Sequence, residues 1–188
     1  MNFRKIKKGD ILFLILVVLM IVPQTRQPIQ IAFHSVVSLF SPSVINPKEQ
    51  KEISYEPWKL KDLDGNEFDF SNTKNRVVIV NLWATWCPPC IAEFQGIQNL
   101  YDDYSKKVDF ILVSDESPKA IQKFLKRKGY NIKVFTPLTQ YPSYFTTKSI
   151  PRTYIIDKQG RIVIDKHGAA NWNSSSVREQ LDKLLTAS

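Results

Sequence analysis

Between Arg76 and Trp83 the chain carries Val77, Val78, Ile79, Val80 and Leu82, a run suited to a strand buried on both faces. Trp86-Cys87-Pro88-Pro89-Cys90 follows almost at once. From Pro88 to about Lys106, Ile91, Phe94, Ile97, Leu100, Tyr101 and Tyr104 recur at helical spacing. A buried strand therefore gives way to an amphipathic helix at a pair of cysteines. This junction restricts the chain to folds in which helices cover a central sheet and the cysteines stand where a strand ends and a helix begins.

The remaining pattern extends that α/β reading. Trp58 to Leu63 and Glu67 to Phe70 flank the turn signal Asp64-Gly65-Asn66, and Val108 to Val113 is a second buried strand. Ser117 reads as a helix cap with Pro118 in the first turn, and Ile121, Phe124 and Leu125 carry an apolar stripe to Gly129. Lys133 to Phe135 reads as a short strand, followed by a loop over 137–149. Thr153 to Ile156 and Arg161 to Ile164 form a hairpin through Asp157-Lys158-Gln159-Gly160, and a helix from about Ser174 to Leu185 closes the chain. The expected fold is a mixed central sheet flanked by helices, in one domain over 57–188. The content of 43% hydrophobic and 12% aromatic residues suits such a core.

Residues 1–26 read as a signal anchor. Arg4, Lys5, Lys7 and Lys8 precede an unbroken apolar run from Ile11 to Val22, the basic-then-apolar order of export signals. Twelve helical residues rise about 18 Å, short of the roughly 30 Å hydrocarbon core. The following Pro23-Gln24-Thr25-Arg26 offers no small-x-small cleavage site, which favours an uncleaved anchor. Residues 27–56 hold an amphipathic stretch from Pro28 to Pro42, with Ile29, Ala32, Phe33, Val36, Val37 and Phe40 at helical spacing, and then a polar linker from Asn46 to Glu56. That amphipathic helix suits either the headgroup region or the surface of the domain. With positive charge retained inside, the expected location is the cytoplasmic (inner) membrane, single-pass, with the domain facing the periplasm or an equivalent extracytoplasmic space.

The net charge of +8 is spread evenly. Residues 1–50 carry six Lys/Arg against two Asp/Glu and residues 51–188 carry twenty against sixteen, so each part contributes +4. Lys126-Arg127-Lys128, ahead of Gly129, complements a helix carboxyl end, so no nucleic-acid partner is expected. Asp62, Asp64 and Asn66 resemble the start of a calcium loop, but Glu67 and Thr73 occupy the positions of its glycine and bidentate glutamate. Zinc is excluded for want of ligands: beyond the two cysteines there are His34, in the anchor region, and His167, seventy-seven residues past Cys90. No cofactor is implied.

Two cysteines separated by two residues are the minimum for thiol–disulfide exchange, in which a thiolate attacks a disulfide and a second thiol resolves the mixed disulfide. Cys87, at the helix start, gains from unpaired N–H groups and the helix dipole, which stabilise its thiolate. Cys90, one turn on and more buried, is the resolving thiol. Trp86 is expected to cover part of the site and Trp83 to belong to the core.

The run Val78-Ile79-Val80-Asn81-Leu82-Trp83-Ala84-Thr85-Trp86-Cys87-Pro88-Pro89-Cys90 resembles the membrane-anchored thioredoxin-like proteins of the TlpA and ResA type. Ile150-Pro151-Arg152-Thr153-Tyr154-Ile155-Ile156-Asp157, followed by Gly160, is similar to that family's cis-proline strand and hairpin. The resemblance runs from about Pro57 to Leu185. It implies a thioredoxin-like fold and a role for Pro151 in holding substrate backbone across from the cysteines. It also implies that Glu93, three residues past Cys90, manages the proton of that thiol. Asn81 stands where ordinary thioredoxins carry a buried aspartate, so neutral hydrogen bonds are expected of it. Gln95 replaces a helix-kinking proline. Arg152 replaces a small polar residue and is expected near the cysteines, where its charge could act on Cys87 or on substrate.

The resemblance implies an anchored monomeric reductase of oxidised protein thiols, supplied by a membrane thiol electron donor, with apocytochrome c among the candidate substrates. Other readings stay open. A disulfide-forming oxidase would use the same scaffold in reverse. A thiol peroxidase would need Thr or Ser at Ala84 and Pro at Val80, and a copper carrier built on Cys87, Cys90 and His167 would more commonly space its cysteines by three residues.

Overall fold

The computed structural model describes residues 8–187. Helices α1 (Lys8–Ile21) and α2 (Pro23–Val37) come first, followed by strands β1 (Lys59–Asp62), β2 (Glu67–Asp69) and β3 (Val77–Leu82). Helix α3 (Pro88–Tyr104), β4 (Val108–Val113), α4 (Pro118–Lys128), β5 (Val134–Pro137), β6 (Arg152–Ile156), β7 (Ile162–His167) and α5 (Ser175–Thr186) complete the order. The seven strands form one mixed sheet in the order β2-β1-β5-β4-β3-β6-β7. Neighbours β3, β4 and β5 run parallel, whereas β6 lies antiparallel to β3 and β7 antiparallel to β6.

The two parallel steps, β3 to β4 and β4 to β5, cross over through α3 and α4. Both helices pack on the same face as α5: Phe94 and Ile97 of α3, Ile121 and Phe124 of α4 and Leu181 of α5 share a core with Val77 and Ile79 of β3. Because side chains alternate along a strand, Val78, Val80 and Leu82 face the other way. They meet an aromatic layer of Trp58, Phe70, Phe145 and Tyr154. Short 3-10 turns at Phe70–Thr73 and Ser143–Phe145 deliver Phe70 and Phe145 to it. Asn81 belongs to the helical face, so a fully buried polar side chain lies beneath α3.

Local signals set the helix ends. Ser117 accepts a hydrogen bond from Ala120 N with Pro118 in the first turn of α4, and Gly129 ends that helix at φ 71°, a left-handed conformation that costs glycine little. Ser174 caps α5 through Val177 N. Helix α3 runs without interruption past Gln95, whose side chain bonds Asn99 on the next turn. In the turn that resembles the start of a calcium loop, Asp62 accepts from Asp64 N, Asn66 N and the Asn66 amide and pairs with Lys133 at 3.1 Å.

Of the two places open to the amphipathic helix, the structure shows the surface of the domain. The amphipathic helix expected over Pro28 to Pro42 is α2, which begins at Pro23, keeps Pro28 inside and packs against α3, with half-buried Ile31 against the core. No helix among the described residues is long and apolar enough to cross a membrane. The basic residues Arg4, Lys5 and Lys7 fall outside the described residues. The polar segment expected as a linker over 46–56 pairs with residues 160–163 at the start of β7. Ile45 N donates to Val163 O, Ile162 N to Lys51 O and Ile53 N to Gly160 O, while Glu52 bridges to Arg161. Farther back, Asn171 N donates to Phe40 O at 2.9 Å. These bonds strap residues 40–53 to the sheet edge and hold α2 beside α3.

Candidate active site

Cys87 ends the segment that leaves β3 and is the N-cap residue of α3, with φ −87° and ψ 107°. Pro88 and Pro89 occupy the first helical turn, where a missing N–H is harmless. Cys87 Sγ accepts a hydrogen bond from Cys90 N at 3.3 Å, so the sulfur fills the role an Asp or Ser oxygen takes at other helix starts. An anionic sulfur is favoured there by the same N–H and by the helix dipole. Cys87 and Cys90 are joined as a disulfide. Both are buried, Cys90 at 1% exposure and Cys87 at 3%.

Two features support this turn from outside. The segment ahead of Cys87 is clamped by Glu116, from the loop after β4: Thr85 N and Thr85 Oγ1 each donate to its carboxylate at 2.6 Å, and Ser114 Oγ donates at 3.2 Å. On the opposite side the Ile150–Pro151 peptide is cis, and the Ile150 carbonyl oxygen lies 3.7 Å from Cys87 Sγ. Pro151 is buried at the start of β6, facing the cysteine turn across the site.

Trp86 stands 63% exposed, between two clefts. One, of about 650 Å³, runs between Trp86, Tyr141, Thr147 and Ile150. The other, of about 480 Å³, lies between Trp86, Pro88 and Pro89 on one wall and Arg26, Gln30 and His34 of α2 on the other. Trp86 thus forms a wall of both clefts next to Cys87 in the chain. Trp83 is in the core, against Phe94 and Phe124.

Glu93 is 2% exposed and faces the sheet beneath α3. Its Oε2 accepts from Trp172 Nε1 at 2.8 Å and from Ala170 N at 3.1 Å, and its Oε1 accepts from Asn81 Nδ2 at 3.1 Å. Burial pushes its carboxyl up to about 8, against the downward pull of those three hydrogen bonds and of the Lys166 charge. The group therefore exchanges its proton close to neutrality, one helical turn from Cys90. Asn81 also donates to Thr153 Oγ1 at 2.7 Å, across the β3–β6 register.

Arg152 does not direct its charge at Cys87. Its Nε and Nη2 donate to the two carboxylate oxygens of Asp165 at 2.9 and 2.8 Å, and its guanidinium stacks over Tyr154. Asp165, diagonally across on β7 where it pairs with Tyr154, neutralises it. His167 is exposed on β7, and no group of three potential metal-binding side chains occurs among the described residues.

Sequence reading did not single out Thr153, Trp172 or Glu116. Alternation places Thr153 on the Ile155 face, towards the helices, which is a usable signal. Nothing local in Ala169-Ala170-Asn171-Trp172 announces an indole aimed at a carboxylate seventy-nine positions earlier.

Comparison with known proteins agrees with this geometry. Residues 48–181 match the redoxin family. A thiol-disulfide oxidoreductase ResA from Bacillus thuringiensis is 29% identical over 145 residues, covering 73% of this chain and 79% of the relative. A ResA from Bacillus cereus is 32% identical over 123 residues, covering 62% and 70%. Among solved structures, a Chlorobium tepidum protein provisionally named a thiol:disulfide interchange protein DsbE superposes with a TM-score of 0.61 at 22% identity, over 72% of this chain and 97% of its own. With its Cys-x-x-Cys pair set between a strand end and a helix start, the chain belongs to the redoxin family as a ResA-like thiol–disulfide oxidoreductase of the thioredoxin superfamily.

Proposed function

We propose that this protein is a reductase of protein disulfides outside the cytoplasmic membrane, tethered by its amino terminus and recharged by a membrane thiol donor, with apocytochrome c as a substrate before haem attachment. The observation that carries the reading is the buried Glu93 carboxyl, one helical turn along α3 from the buried resolving thiol. In the dithiol form, the Cys87 thiolate attacks one sulfur of the substrate disulfide, forming a mixed disulfide and expelling the other sulfur as a thiolate. Cys90 must then lose its proton to attack Cys87 Sγ, yet burial disfavours its thiolate. Glu93 accepts that proton. The new Cys87–Cys90 bond forms as the bond to substrate breaks, the substrate leaves as a dithiol after protonation, and two electrons have passed to it.

Tethering is supported by the order of Arg4, Lys5, Lys7 and Lys8 before the apolar run Ile11 to Val22. The clefts beside Trp86 and Ile150 suit a polypeptide laid across the disulfide. Equilibration of the full-length chain with glutathione tests the direction of electron flow. A potential near the roughly −270 mV of thioredoxin supports reduction, and one near the roughly −120 mV of a strong oxidase would reverse the assignment.

A further inference from the structure

The hydrogen bonds around Glu93 are all donated to it, an arrangement matched to a carboxylate and not to a carboxylic acid. Of the two oxygens, Oε2 is committed to Trp172 Nε1 and Ala170 N, an indole and a backbone amide that can only donate. A proton arriving on Glu93 therefore settles on Oε1. There it meets the Asn81 amide nitrogen, 3.1 Å away and also a donor. Two donors face each other, and the acid has no acceptor.

The remedy lies within Asn81 itself. Its nitrogen serves both Glu93 and Thr153, while its oxygen, Oδ1, is buried with no hydrogen-bond partner. Rotation of the amide by half a turn puts Oδ1 where the nitrogen was. The oxygen has two lone pairs, and both neighbours can then donate: the Glu93 acid proton and the Thr153 hydroxyl, which carries a hydrogen of its own. Each orientation makes two hydrogen bonds and leaves one end of the amide unpaired, so the two are closely balanced and the proton on Glu93 decides between them.

We infer that Asn81 is a positioning residue whose side-chain amide reverses each time Glu93 gains or loses a proton, so that both protonation states are matched in a site closed to water. This deepens the reading of Glu93 as the acceptor of the Cys90 proton. The balance is simple: Cys90 S–H and a Glu93 carboxylate become a Cys90 thiolate and a Glu93 acid, while Asn81 exchanges a donated bond for an accepted one. Lys166 on β7 is the charged group acting on Glu93. Of its hydrogen-bond partners, β3 gives Asn81 and the segment 168–174 gives Ala170 and Trp172, all neutral, while Thr153 of β6 reaches it through Asn81 and Cys90 lies one turn back on α3. Asn81 thus does work that a fixed acceptor such as aspartate could not do.

The test uses the oxidised full-length chain in detergent, in which no thiol titrates, so its failure would leave the role of Glu93 in exchange untouched. Nuclear Overhauser contacts are followed between the Asn81 side-chain amide protons and the Thr153 side chain while the Glu93 carboxyl carbon is titrated. These contacts are expected to weaken with the same midpoint as Glu93 as pH falls. In Glu93→Gln, whose amide nitrogen imitates the acid, they are expected to be weak at every pH. Contacts that stay constant through the titration, or that persist in Glu93→Gln, overturn the inference. Asn81→Leu gives a second readout. An amide that serves both states equally leaves the proton affinity of Glu93 within about threefold on removal, whereas a fixed donor predicts an increase of about tenfold or more.

Discussion

Replacing Glu93 by Gln has a consequence for stability that follows from its burial. The Glu93 carboxyl titrates near 4.5 when exposed and is pushed up to about 8 in the folded protein. Between those values the folded chain holds a proton that the unfolded chain has released, so stability falls as pH rises. The favourable contribution is complete below about 4.5 and is lost progressively until about 8. At about 1.4 kcal/mol per unit, the interval corresponds to about 5 kcal/mol. The depressed carboxyls act elsewhere. Asp69 is held low by hydrogen bonds from Ser71, and Asp62, which burial would raise, is pulled lower by Asn66 and Lys133. Both are ionised above 4.5 in either state, so their contributions are lost only in more acid solution. Urea unfolding of the oxidised protein, with the disulfide intact so that no thiol titrates, should show native stability dropping by several kcal/mol across this range. Glu93→Gln should be nearly flat across it. Parallel curves for the two proteins, within about 1 kcal/mol, would refute the buried-carboxyl argument.

Three further outcomes are expected. Cys90→Ser should trap substrate as a mixed disulfide on Cys87, visible as an adduct cleaved by reductant, while Cys87→Ser should trap none; equal trapping would reverse the assigned roles. Glu116→Ala removes both bonds to Thr85 at the entrance to the cysteine turn and should cost about 1–2 kcal/mol in urea unfolding, with slower exchange; unchanged values would show that the clamp is idle. Arg152→Ala should shift the Cys87 thiol, read from the pH dependence of alkylation, by well under about one unit, because Asp165 already neutralises the guanidinium; a larger shift would put that charge back at the cysteine.

How much of this was legible in the sequence depended on how local the cause was. The run Val77 to Leu82 and the cysteines after it specify β3, the start of α3 and the place of Cys87, because burial on both faces and a helix start are written within a few residues. The Glu93 site was only half legible. Its spacing from Cys90 is a property of one helix, but Trp172, Ala170 and Thr153 arrive from strand register and a distant loop. Arg152 misled for a related reason: its neighbour in sequence is Pro151, yet its partner Asp165 is set by the pairing of β6 with β7. At the amino terminus, apolar spacing announced a helix but could not say whether its face meets lipid or protein, and α2 meets α3.

The strap over 40–53 has a consequence for encounters with other chains. It occupies Ile162 N and Val163 O at the start of β7 and pairs with Gly160 and Arg161 just ahead of it. The opposite edge is β2, three residues long and bearing Glu67 and Asp69, a poor template for an added strand. A strand from a neighbour therefore meets the strap at the start of β7 on one flank and a short acidic strand on the other. Both devices disfavour docking by strand addition at those places and leave open the strand ends, where Trp86 is exposed and the Ile150 carbonyl oxygen lies 3.7 Å from Cys87 Sγ.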